Sequence, residues 1–346
     1  MDIIKILTKL CALDGVSGRE GAILEYALEL LREYCDEVYT SDKKTAVGII
    51  KGENPELKIM LDAHIDRVGF IVRSVEEGFV RFNSRGGIDP RLLQSKEVYV
   101  CASSGNLPGI ICSIPPHLST AEEREKVTEI EDMMIDIGLD DETAKSLIRP
   151  GDSIIYASEP RMLKNNIFAS AAIDDRGCFL SLLYAAEYLK GRKLKADLYI
   201  VGSSQEEVTG LGAHSAASII RPDIAVAVDV DHATTPDAPP LRTHPAGQGA
   251  VIATGPHLHK GVTESLIKAA KDNNLPFRIT AEEGFTGTNA SHIYKTGLGV
   301  ATGLISLPLK YMHTPAEVVD VADIEAVGSI LGEYLLTFAC ENGGIA

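Results

Sequence analysis

Two adjacent carboxylates, Glu206 and Glu207, stand just after the apolar run Leu198-Tyr199-Ile200-Val201. Carboxylates in such a place can ligate a cation or take a proton from water. Neighbouring strand residues point to opposite faces, so the pair is expected to divide these jobs. Taken singly, a Glu-Glu pair is more often a solvated loop, but here the pattern recurs. His64 and Asp66 follow a second apolar run, and Asp174 and Asp175 open a helical segment. Asp229 ends a third run, and His313 comes soon after a fourth. Gathering scattered ligands at the carboxyl ends of strands is how an open α/β sheet builds a site. Nitrogen and oxygen donors without thiolate suit Zn²⁺, Co²⁺ or Mn²⁺. Five such ligands exceed what one zinc needs, so two divalent metal ions bridged by a carboxylate are expected. The His64-x-Asp66 spacing lets Asp66 hold the imidazole through its other nitrogen.

The elements that must carry these residues follow from periodicity. Residues 1–34 read as two helices broken at Asp14-Gly15-Val16-Ser17-Gly18, with Ser17 capping the second. Strands are expected at 46–51, 57–61, 197–202, 224–229 and 299–305. Helices are expected at 173–189, 213–219, 260–271 and 323–340, and a polar loop at 231–246. Between about 70 and 159 the pattern becomes short alternating strands with Gly and Pro turns, as in a small barrel or sandwich. That segment also holds an exposed charged stretch at 120–132 and a short helix at 140–148. The chain is therefore read as α/β, with residues 1–67 and 161–346 forming one domain and 68–160 an inserted β-rich one.

The 346 residues are 45% apolar, enough for a large core. The formal net charge of −16 argues against nucleic acid or an anionic membrane as partner. No basic-then-apolar leader opens the chain and no run is long enough to span a bilayer, so a cytoplasmic protein is expected. The six cysteines are scattered and read as reduced thiols. The sequon at Asn289-Ala290-Ser291 is read as unused.

Ala63-His64-Ile65-Asp66, Ala172-Ile173-Asp174-Asp175-Arg176-Gly177, Gln205-Glu206-Glu207-Val208, Val228-Asp229-Val230 and the run Tyr311 to Val318 resemble, in order, the tetrahedral (TET) aminopeptidase / glutamyl-aminopeptidase family. These are dinuclear metallopeptidases, some of them labelled endoglucanase-like. The likeness extends through Gly86-Gly87-Ile88-Asp89-Pro90-Arg91 and Pro115-Pro116-His117-Leu118. It implies a mixed-sheet, zinc-peptidase-like catalytic domain sandwiched by helices. His64 and Asp229 would hold one metal, Glu207 and His313 the other, and Asp174 would bridge them. Glu206 would be the general base for a metal-bound water, with Asp66 beside it, and short peptides would lose their N-terminal residue. The resemblance also implies a cis peptide between Asp174 and Asp175. Residues 68–160 would mediate self-association into dimers and a tetrahedral dodecamer.

Two positions depart from the family pattern. Arg67 stands where an acid is usual, and Asn289 where Gly-Thr-Asp-Ala has its Asp. Arg67 either attracts an acidic substrate side chain or, as the plainer reading, pairs with a local acid such as Glu76 or Glu77. Among other histidines, His257 and His259 are read as a solvated loop, and His214, His232 and His292 as packed near the site. His117 and His244 are read as surface residues. The competing functions are a glycosidase using Glu206 and Glu207, a non-catalytic binding protein, and another amide hydrolase such as a deacylase. The absence of Trp and the 5% aromatic content disfavour a sugar cleft.

Overall fold

The apolar runs that end in acid residues become neighbours in one eight-stranded sheet. The computed structural model describes residues 1–41, 44–115, 117–236, 238–239 and 242–338. At the centre of the sheet Ala196–Ser203, Asn54–His64, Ile224–His232 and Ala301–Leu309 lie side by side and parallel. Ala46–Ile50 and Glu37–Thr40 add antiparallel on one side. Ala250–Thr254 adds antiparallel on the other and pairs in parallel with Phe277–Ala281. Parallel strands are buried on both faces and so read as continuous apolar runs.

Alternate residues serve two cores. Ile59 and Leu61 face the helices Ile3–Ala12, Ile173–Tyr188, Lys260–Asp272 and Val321–Leu336. Met60 faces the opposite layer, with Leu211–Ile220 and Ala290–Ile293. The sheet is therefore covered on both sides, and its parallel strands open at their carboxyl ends.

After His64 the chain leaves this sheet and closes a six-stranded barrel between Gly69 and Tyr156. Inside it Phe70 meets Phe82 and Tyr156 edge to face, at centroid distances of 5.1 and 5.6 Å. A small sheet then pairs Ile167–Ser170 antiparallel with Glu317–Asp320, which draws the segment after His313 against the start of the 173–188 helix.

Several boundaries differ from expectation. The second helix is Gly21–Leu31 with Glu20 at its N-cap position, so Ser17 does not cap it. The strand at 224 runs on to His232, and a bridge from Ala233 to His244 gives the expected polar loop some sheet order. The last helix ends at Leu336, and Cys340 and Pro116 lie outside the described residues. The described cysteines are all free. No described helix is long and apolar enough to cross a membrane.

Candidate metal centre

His64 is the last residue of its strand, and Asp229 lies near the end of the adjacent one. Glu206 and Glu207 lie on the turn that follows Ser203, not on the strand itself. Strand alternation therefore does not separate them, contrary to expectation. What sets them is Asp66, whose two oxygens accept from the backbone N–H groups of Glu206 (3.0 Å) and Glu207 (3.3 Å). Gln205 takes a left-handed φ of 57° to make that turn. Asp66 also approaches the His64 ring, since His64 Nδ1 lies 3.2 Å from its backbone oxygen and 3.4 Å from its Oδ1.

Asp174 joins the two histidines. Its Oδ1 is 3.2 Å from His64 Nε2 and its Oδ2 is 3.2 Å from His313 Nε2. The Asp174–Asp175 peptide bond is cis, as the resemblance implies. His313 Nε2 is also 3.2 Å from Glu207 Oε2, and its Nδ1 lies 2.8 Å from the Gly87 carbonyl. Glu206 Oε2 is farther from any imidazole, at 3.8 Å from His64 Nε2. Ligand-type atoms of His64, Asp174 and Glu207 fall within 4.8 Å of one another, as do those of His64, Asp175 and Asp229.

The charge balance fits cations. Burial, with the neighbouring Glu206 and Asp174 charges, pushes Asp229 well above the usual carboxylate range. Burial also pushes Glu206 up to about 8. Burial lowers His313, but its bonds to Asp174 and Glu207 outweigh this and hold it at about 11. Glu207 Oε1 is buried with no partner. Crowded buried carboxylates need a compensating positive charge, and borderline divalent cations match this oxygen and nitrogen set.

Two further acids shape the cluster. Glu317 accepts from the backbone N–H groups of Ile173 (2.7 Å) and Asp174 (3.1 Å) through Oε2, and from His313 N (2.9 Å) through Oε1. Asp175 accepts from His64 N at 3.1 Å. Neither role was expected. The spacing of Glu317 four residues after His313 is the signal that could have pointed to it. Behind the site the Asn289 amide donates to Asp62 (2.8 Å) and Ser203 (2.9 Å) and pins the loop before it.

Arg67 corrects both of its expected roles. It is buried, only 2% exposed, and does not line the pocket, so it cannot meet a substrate side chain. It does not pair with Glu76, which is held by Arg81 and Ser74. His244 is also not a free surface residue, since its Nε2 lies 3.2 Å from Asp231 Oδ2 at the rim of the site. His232 and His292 line the pocket; the loop of His257 and His259 is open to solvent as expected, with His259 exposed and His257 half-buried and stacked on Phe285 at 4.5 Å. His117 is exposed, as expected.

A helix-flanked α/β sheet whose strand ends gather a buried histidine–carboxylate cluster beside an open pocket is built as a metal-dependent hydrolase. The chain matches the M42 glutamyl aminopeptidase family over residues 45–330 and belongs to it; its members are metal-dependent aminopeptidases. It is 28% identical to the lysyl aminopeptidase of Pyrococcus furiosus, across 93% of both chains. Its fold superposes on a TET aminopeptidase from a marine sediment Thaumarchaeota archaeon with a TM-score of 0.92, at 29% identity over 97% of each chain. The TET1 peptidase of Pyrococcus horikoshii, which can assemble into a tetrahedron or a large octahedral shell, gives 0.83 at 26% identity over 96% of this chain and 99% of that one.

Proposed function

We propose that this protein removes N-terminal residues from short peptides with two divalent cations, Zn²⁺, Co²⁺ or Mn²⁺. His64 and Asp229 hold one, Glu207 and His313 the other, and Asp174 stands between them. The observation that carries this is Asp174, which offers one oxygen to each histidine at 3.2 Å. Bound there, the cations would polarise the scissile carbonyl and acidify a water. Glu206 takes the proton of the attacking water and returns it to the leaving amine. Asp66 positions both glutamates through their backbone N–H groups and steadies the His64 ring.

Chelation separates this activity from that of a glycosidase. EDTA is expected to abolish aminopeptidase activity, and added Zn²⁺, Co²⁺ or Mn²⁺ to restore it. Undiminished turnover of a glycoside in EDTA would favour the carboxylate-pair alternative. N-acetylated peptides are expected to resist cleavage; their hydrolysis would point to a deacylase.

The pocket also suggests which residue is removed. Asp231 and Glu282 line it, and among the described residues no Lys or Arg does. Glu282 is raised by burial and by the Asp231 and Glu283 charges, which places these acids close together. One exposed charge pair is worth about 1 kcal/mol in water and more in a cleft, so a preference of roughly tenfold or greater is expected. Lysyl and arginyl chromogenic substrates should therefore exceed glutamyl and aspartyl ones in kcat/KM, and Asp231→Asn with Glu282→Gln should narrow the gap. Faster cleavage of the acidic substrates would overturn it.

Self-association is proposed to run through the barrel. Tyr99 and Ile110 are exposed apolar residues on its paired strands Glu97–Ala102 and Gly105–Ile111, beside a shallow groove. The shell-forming TET1 relative supports self-association, and a larger closed assembly would admit only short peptides. Light scattering should show an oligomer that Ile110→Lys dissociates; a wild-type monomer at micromolar concentration would contradict it.

A further inference from the structure

Two arginines are buried behind the metal centre, where the 1–41 segment, the barrel and the large sheet meet. Arg176 has no exposed surface and Arg67 only 2%. Arg176 is held by donating to three carbonyls, Ile65 (3.1 Å), Leu10 (2.6 Å) and Leu13 (2.8 Å). That leaves its Nη2 buried and without a partner. Arg67 has even less, a single 3.4 Å contact from Nε to Val68 O, and its own Nη2 is also buried and unpartnered.

The two lie against the same piece of chain. Arg67 N donates to Gly15 O at 3.1 Å, and Ser17 N donates to Arg67 O at 3.1 Å. Arg176 Nη2 comes so near Gly15 that a Cβ there would sit 2.5 Å from it. The Arg67 charge is close enough to help burial push Arg176 down to about 9. A guanidinium carries a positive charge in proteins.

No carboxylate among the described residues neutralises them at contact distance. Among the described residues neither guanidinium takes part in an ion pair. The nearby acids are already engaged. Asp14 accepts from Gly15 N and Ser153 Oγ, Asp66 accepts from Glu206 and Glu207, and Glu317 accepts three backbone N–H groups. Tyr156 completes the wall. Its hydroxyl is buried and unpartnered, and it feels the Arg67 charge. Asp14 and Asp66 act on Arg176 only from a distance, and two like charges buried without a contact partner still oppose burial.

We propose that a small monovalent inorganic anion, of chloride size, binds between the Arg67 and Arg176 guanidiniums and accepts from the Tyr156 hydroxyl. The ion then bridges the 1–41 segment, the barrel strand Ser153–Tyr156 and the start of the 173–188 helix, which carries Asp174. Its effect is therefore on stability first and on the geometry of the metal site second. The anion site stands whatever the metal centre catalyses.

The test is thermal unfolding of the full chain at fixed ionic strength, with sodium bromide or chloride exchanged for gluconate. Linkage predicts a midpoint that rises by about 2 °C for each tenfold increase in halide above its dissociation constant. The measurement is repeated in EDTA, so that halide on a metal ion does not contribute. Arg67→Glu places a carboxylate opposite Arg176 and should abolish the halide response while remaining as stable in gluconate as the parent is in bromide. A midpoint indifferent to halide would mean that water fills the space and would overturn the proposal. So would a bromide response retained by Arg67→Glu. Should that variant fail to fold, a bromide-soaked crystal of the parent decides: an anomalous peak within hydrogen-bond distance of both Nη2 atoms supports the site, and its absence refutes it.

Discussion

Glu206→Gln should keep both metal ions and lose its turnover, whereas Glu207→Gln should lose metal. The difference rests on where the two carboxylates lie. Glu207 Oε2 is 3.2 Å from His313 Nε2 and shares that histidine with Asp174, as a ligand of the same cation would. Glu206 Oε2 stays 3.8 Å from His64 Nε2 and is the more open of the two, with 13% of its side chain exposed against 4% for Glu207. It is placed to hand a proton about, not to close a coordination shell. An amide at 206 keeps the shape and removes the base. kcat should fall by the ~10²–10⁴ typical of general acid–base catalysis, which is about 3–5 kcal/mol of barrier, with KM nearly unchanged. An amide at 207 removes a charged ligand, so one metal site weakens, and excess metal should return part of the rate. Metal content by elemental analysis, with steady-state kinetics on both proteins, separates the two roles. If Glu206→Gln is the variant that loses metal, the assignment is reversed. If both keep activity, the cluster is not the catalytic site.

The parallel centre of the sheet was legible because its strands are buried on both faces. Residues 59–61 and 224–228 show this as apolar runs, with His64 and Asp229 following them at the strand ends. The barrel was legible as a change to short alternating strands with turn residues. What could not be read was which distant groups satisfy the backbone around the site. Asp66 was expected to serve a ring nitrogen, and its stronger contacts are to two peptide N–H groups across 140 residues of chain. Glu206 and Glu207, placed just after a strand, were expected to point apart as strand neighbours do, but the chain turns after Ser203, and the turn sets their directions. Arg67 shows the same limit. Its type suggested a surface partner or a substrate, yet the parallel bridge to Val16 pulls it inward. Such facts belong to the packing of three segments together, and local sequence pattern does not carry them.

Glu317 offers the second large effect. It is 1% exposed and is not among the proposed metal or substrate contacts, yet three backbone N–H groups converge on it. Two of them belong to Asp174 and His313, so one carboxylate fixes the backbone of two of the proposed ligands. Burial and the Asp174 charge push its carboxyl up to about 8, while the three donors favour the ionised form. Glu317→Gln replaces one oxygen by an NH₂ group, which must face at least one N–H as donor against donor. Each unsatisfied buried group costs about 1–3 kcal/mol, so the thermal midpoint should fall. Metal affinity should fall by about 10–100-fold, as is usual when a group that orients a ligand is lost. At saturating metal the loss in kcat should be much smaller than that of Glu206→Gln, because the base remains. Glu317→Asp keeps the charge but shortens the reach, and should lose affinity while keeping more stability than the Gln variant. Metal titration followed by calorimetry, with kcat measured at saturation, separates these effects. Unchanged metal affinity in Glu317→Gln would show that His313 and Asp174 are held by the rest of the fold, and that Glu317 serves stability alone.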